Sequence, residues 1–199
     1  TKRAAGRRQG PRRDDRLRMT RRLLIVIAVV AVLGSLFLFG LLRGSPDRII
    51  TSNMIGQSVP SFRLPVHTNL TPQYGPEFEY ASASFGRPVI INFWAEWCEP
   101  CRIEAPLLQD VWRGYGDELT VIGIQTLDRG RQAAGRAFIN EFGLTFPNVV
   151  DDDSRIGRNY GLFGVPETFF IAADGTLVEK YAGILTPEVL ENNIRRLLN

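Results

Sequence analysis

The chain has 199 residues, 44% hydrophobic and 10% aromatic, enough for one sizeable core and too few for several. Its formal charge of +3 and pI near 9.1 would suit an anionic partner, but the charge is uneven. Residues 1–22 hold ten Lys/Arg against Asp14 and Asp15, or +8, which leaves 14 basic and 19 acidic residues, or −5, for the rest. This basic tail ends directly on an apolar run, which argues against a nucleic-acid arm.

That run, Leu23–Leu42, is 20 residues without a charge and at 1.5 Å per residue matches a hydrocarbon core of about 30 Å. It reads as a transmembrane anchor. A cleaved signal peptide would have a shorter apolar region and a small-x-small site, and "LLRGSPDR" offers none. The excess of basic residues before the span places residues 1–22 on the cytoplasmic side as a disordered flank touching lipid headgroups, with the acidic body outside. An internal start at Met19 would remove most of the tail and leave this orientation unchanged.

Residues 43–56 read as a polar, turn-rich linker, and residues 57–199 as the folded domain. Within it, "SVPSFRLP" and "EFEYASASF" predict a pair of strands. "RPVIINFWA" (87–95) is a continuous apolar run, the mark of a strand buried on both faces. From Cys98 to Gly114 the apolar spacing turns helical, with Pro106 expected to kink that helix. A second buried strand is expected over 119–127, a helix over 131–143, a short segment at "FPNVVDD" and a short helix at "SRIGRNYG". "TFFIAA" and "TLVEKYAG" then form a hairpin about Asp174–Gly175, and Thr186 caps a closing helix with Pro187 in its first turn. This order is α/β with a mixed sheet.

Both cysteines lie in "FWAEWCEPC" (93–101). Zinc fails on ligand count, because the only histidine, His67, is about thirty residues away and reads as an ordinary loop residue. A structural disulfide closing so short a loop removes little chain entropy. Redox exchange remains. Cys98 falls where the strand ends and the helix begins, where unpaired N–H groups and the helix dipole favour a thiolate, so it is expected to attack. Cys101, one turn on and expected to be more covered, would resolve the mixed disulfide. Trp97 and Pro100 shape the rim and the first helical turn.

The stretches "VPSFRLP", "RPVIINFWAEWCEPCRIEAP" and "YGLFGVPETFFIAADG", behind an N-terminal anchor, resemble the membrane-anchored thiol-disulfide oxidoreductases of cytochrome c maturation, the ResA, TlpA and CcmG/DsbE group. The resemblance implies a thioredoxin fold: a mixed central sheet flanked by helices, with an N-terminal β extension and a central insert. It implies Cys98 and Cys101 as the redox pair, and a cis Val165–Pro166 bond that frees the Val165 backbone for a substrate peptide. Glu99, Glu104 and Glu167 match acids around the thiols, and Glu167, beside the proline loop, is expected with Val165 and Pro166 among the substrate-binding residues. Three carboxylates would oppose the thiolate and make the couple reducing, and Glu104 would accept the Cys101 proton. For each glutamate a plainer reading stands beside it: Glu99 as a solvated loop charge, Glu104 as a helix-surface residue, Glu167 as a contact to neighbouring backbone. Where thioredoxin proper has a buried acid, this chain has Asn92. Ala95 replaces the hydroxyl residue of related peroxidases and disfavours that activity.

The expected function is an extracytoplasmic reductase of apocytochrome c Cys-x-x-Cys-His disulfides, without metal or organic cofactor, re-reduced by a membrane donor of CcdA or DsbD type. The alternatives are a general reductant of other disulfide-bearing secreted proteins and a non-catalytic holder of apocytochrome.

Overall fold

The computed structural model describes residues 13–42 and 53–199. The chain divides into two compact units, Thr1–Asp47 and Arg48–Asn199. In the first, helix α1 spans Arg13–Leu42. Its stretch Arg21–Phe39 is the one helix among the described residues long and apolar enough to cross a membrane, with mean hydropathy 2.7. The helix begins ten residues before the apolar run, which corrects the expectation that all of residues 1–22 are a disordered flank. Once nucleated, a helix propagates cheaply through residues of good propensity, and "RDDRLRMTRR" contains no breaker. Residues 1–12 of the tail and 43–52 of the expected linker lie outside the described residues.

The second unit opens with a two-stranded antiparallel sheet, β1 (Phe62–Pro65) and β2 (Glu77–Tyr80), flanking the one-turn helix α2 (Thr71–Tyr74). The main sheet has β3 (Val89–Trp94), β4 (Thr120–Gln125), β5 (Asn148–Val150), β6 (Glu167–Ile171) and β7 (Leu177–Ala182), in the order β5-β4-β3-β6-β7. β3 pairs parallel with β4 and antiparallel with β6, so the sheet is mixed. Central β3 and β4 are buried at every position, as their unbroken apolar runs predict.

Helix α3 (Glu99–Tyr115) packs on β4, and α6 (Pro187–Leu198) packs on β6. α3 runs through Pro106, which leaves the carbonyl one turn before it without its helical donor. α4 (Gln132–Glu141) follows β4. β5 and α5 (Arg155–Asn159) lie between α4 and β6 and add an edge strand, the expected central insert. Thr186 Oγ1 accepts the Val189 N–H, the expected cap of α6.

β6 and β7 form the expected hairpin about Asp174–Gly175: the Gly175 N–H reaches the Ala172 carbonyl at 2.9 Å, the Ala172 N–H reaches the Thr176 carbonyl at 2.9 Å, and Asp174 accepts the Thr176 N–H. Gly123 in β4 must lack a side chain: a Cβ there would lie 2.1 Å from Asn148 Oδ1, the atom that accepts the Trp94 indole N–H at 3.0 Å. His67 lies in the loop after β1, as expected, but it is buried there and stacks on Trp94, with ring centroids 6.0 Å apart. Burial, helped by the positive charge of Arg136, lowers its pKa to about 4.

Candidate active site

Strand β3 ends at Trp94 and helix α3 begins at Glu99, with Cys98 as its N-cap in extended conformation. Cys98 Sγ accepts the Cys101 N–H at 3.2 Å, so one orphan donor of the helix end points at the sulfur that the sequence marks as the nucleophile. Cys98 and Cys101 form a disulfide, with Cα atoms 5.3 Å apart. Pro100 occupies the first helical turn, where a missing N–H costs nothing.

Both cysteines are covered, Cys98 at 2% exposure and Cys101 at 1%. The expected contrast between an open attacking sulfur and a buried resolving one is therefore barely present in this oxidised state, where each sulfur shields the other. Trp97 and Glu99, the chain neighbours of Cys98, are exposed.

The segment before Cys98 is held by groups that the sequence reading passed over. Asp128 Oδ2 accepts the Glu96 N–H at 3.0 Å and the Gln125 side-chain amide at 2.6 Å, while Arg131 pairs with Glu96. The Trp97 indole donates to the Leu127 carbonyl at 3.3 Å. Leu127 adopts a left-handed backbone (φ 55°) that is rare without glycine, and its N–H is held by Ser154 Oγ at 3.0 Å.

Glu104 is fully buried, so its reading as a helix-surface residue is wrong. One oxygen accepts the Asn92 side-chain amide at 2.7 Å and the other the Leu185 N–H at 2.9 Å. Burial raises its pKa to about 7 against these two donors. Asn92 also donates to Thr168 Oγ1 at 3.0 Å, which ties β3 to β6. Asn92 thus stands as a donor to the buried acid of the next helix.

In the β3–β6 register Phe93 faces Glu167, so Trp94 and Pro166 come together at the end of the sheet from which Cys98 departs. The Val165–Pro166 bond is cis, as the resemblance implied. The Pro166 carbonyl accepts the Gly183 N–H at 3.0 Å, and the Val165 N–H and C=O have no hydrogen-bond partner among the described residues.

Glu167 takes its plainer reading, a contact to neighbouring backbone, and not that of an acid facing the thiols or a substrate. Its side chain is buried, with Oε1 accepting the N–H groups of Phe163 at 2.9 Å and Gly164 at 3.2 Å and Oε2 2.9 Å from Lys180 Nζ. The carboxylate is therefore unavailable to a substrate, and its charge is balanced by Lys180 rather than directed at the thiols. Glu99 is exposed, so solvent screens it. Of the three expected carboxylates, Glu104 alone is a buried charge without a cation.

A family model described as the AhpC/TSA family matches residues 55–180. The chain belongs to this family. It is 31% identical over 177 residues to the thiol:disulfide interchange protein DsbE of Pseudomonas fluorescens biotype C, covering 88% of this chain and 93% of that one. It is 31% identical over 180 residues to the thiol-disulfide oxidoreductase ResA of Bacillus anthracis, with 88% and 96% covered. Among solved structures it is similar to a secreted Mycobacterium tuberculosis disulfide oxidoreductase homologous to E. coli DsbE, with a TM-score of 0.58, 29% identity, and 68% and 96% of the two chains covered. Together with the cysteine pair and the mixed sheet, these likenesses establish a thiol-disulfide oxidoreductase of thioredoxin fold.

Proposed function

We propose that the protein is a reductase of disulfides outside the cytoplasm, acting on the Cys-x-x-Cys-His segment of apocytochrome c, and tethered by α1 with its basic end inside. The disulfide at the N-terminus of α3, above a buried Glu104, is the observation that supports it most directly. The names of the DsbE and ResA relatives support the chemistry.

In the forward reaction both cysteines start reduced. The Cys98 thiolate attacks one sulfur of the substrate disulfide, forming a mixed disulfide and releasing one substrate thiolate. Cys101 loses its proton and attacks Cys98 Sγ, restoring the Cys98–Cys101 disulfide and releasing the second substrate thiol. Two electrons pass to the substrate. Glu104, three residues after Cys101 and so on the same helix face, is the proton acceptor for that step, with a pKa near the working pH. The free Val165 backbone offers an edge on which an extended peptide pairs. A membrane donor of CcdA or DsbD type returns the electrons, and no metal or organic cofactor takes part.

The test is a Cys101→Ser variant in cells, which stops at the mixed disulfide. Apocytochrome c bound through Cys98 is expected, together with lost cytochrome c in a Cys98→Ser strain. Other secreted proteins in the trap would make the enzyme a general reductant, and unchanged cytochrome c in the Cys98→Ser strain would contradict catalysis.

A further inference from the structure

The chain 161–164, "GLFG", runs into Val165 and Pro166, and its two glycines restrict the backbone least of all residues. Within that stretch the Leu162 N–H reaches the Gly157 carbonyl at 2.9 Å. The Gly161 N–H likewise reaches the Arg158 carbonyl at 3.0 Å, and the other hydrogen bonds of the stretch all come from one buried ion pair. Lys180 Nζ donates to the Gly161 carbonyl at 2.7 Å and lies 2.9 Å from Glu167 Oε2, while Glu167 Oε1 accepts the Phe163 and Gly164 N–H groups. The Phe163 ring, 78% exposed, lies over Lys180 Nζ at 4.8 Å and covers the pair from outside.

A lysine with 1% of its side chain exposed on a sheet strand is an expensive choice for stability alone, because a well-packed apolar pair commonly does as well or better. What an apolar pair cannot do is hold a carbonyl and two N–H groups of one loop at three fixed points. The fork at Glu167 and the donor at Lys180 do so, from two neighbouring strands, β6 and β7.

We propose that Lys180 and Glu167 are a positioning pair that sets the loop Gly161–Val165 for reading a polypeptide around its disulfide. The inference rests on the reductase reading above and adds to it the residue that shapes substrate recognition. Lys180 acts through the loop and touches neither sulfur nor substrate.

The experiment uses the full-length protein in detergent with Lys180 changed to Met. Two substrates are compared: a synthetic Cys-x-x-Cys-His peptide in its disulfide form, and the small disulfide 5,5′-dithiobis(2-nitrobenzoate), which meets Cys98 without needing the loop. At least a tenfold fall in kcat/KM for the peptide is expected, mostly through KM, with the small-disulfide rate within twofold of wild type. Amide exchange at Phe163 and Gly164 should quicken in parallel. Lys180→Gln keeps an uncharged donor and should fall between the two, and it carries the test if Lys180→Met does not fold. The proposal is overturned by a folded variant with wild-type peptide kinetics, or by equal loss on both substrates. If the wild type reacts with the small disulfide and leaves the peptide oxidised, the reductase reading fails separately. Exchange at Phe163 and Gly164 then decides the positioning role: quickened exchange supports it, and unchanged exchange overturns it.

Discussion

Two buried glutamates, Glu104 on the redox helix and Glu167 on β6, differ in one respect. Glu167 sits opposite Lys180 and spends its other oxygen on two loop N–H groups, whereas Glu104 has two neutral donors and no cation. The first arrangement is a rigid, neutral brace. The second leaves a carboxyl whose proton is held more tightly in the fold than in the unfolded chain, as a proton acceptor requires. Side chains of one chemical type thus sit in opposite environments, because one has a countercharge and the other has only dipoles.

The comparison breaks most visibly if the countercharge is removed. Lys180→Met leaves Glu167 buried and unpaired, and urea unfolding at pH 7 should show a loss of roughly 3–5 kcal/mol. A loss under about 1 kcal/mol would mean that the pair is solvated and no brace.

Glu104→Gln tests the other half through pH. The folded pKa of about 7 lies above the ordinary 4.5, so the fold binds this proton more tightly and stability falls as pH rises from 4.5 through 7. That slope amounts to roughly 3 kcal/mol and should vanish in the variant. His67 contributes the opposite trend: its pKa lies below 6.5, so stability is lost as pH falls from 6.5 through 4. The two overlap, and only the difference between wild type and Glu104→Gln isolates the carboxyl. The same variant should lose the inflection near pH 7 in the rate at which Cys101 resolves a mixed disulfide.

Asn92→Ala removes one donor from Glu104 and the link to Thr168. About 1–3 kcal/mol should be lost, and the Glu104 pKa should move further up, read by carboxyl titration in infrared spectra. An unmoved pKa would show that burial alone sets it. The smallest effect, about 1 kcal/mol, is expected from Thr186→Ala, which removes the α6 cap while leaving both glutamates paired as before; thermal unfolding checks it.

What was legible in the sequence was local. The apolar runs of β3 and β4, the helical spacing after Cys98 and the Thr186–Pro187 start of α6 all follow from neighbours a few residues apart. Glu104 could not be placed, because the Leu185 N–H that meets it is 81 residues away and a glutamate at that helix position looks like a surface charge. Lys180 hid in the same way: in "TLVEKYAG" it reads as one more polar residue of an edge strand, and only the β6–β7 register brings it over the loop before Pro166. The brace at Asp128 and the left-handed Leu127 were likewise out of reach, since they depend on how the turn after β4 meets the turn after β3. The start of α1 at Arg13 is not legible in the charge of that stretch, because helix propagation from the apolar run prevails there.

The reduction potential of the Cys98–Cys101 couple bears most directly on the reductase reading. With Glu104 opposing a thiolate and Glu167 neutralised by Lys180, the disulfide should be the favoured state, and equilibration against glutathione or dithiothreitol should give a value near thioredoxin's, about −270 mV. A value near that of a strong oxidant, about −120 mV, would mean that the helix end stabilises the reduced pair and that electrons flow the other way.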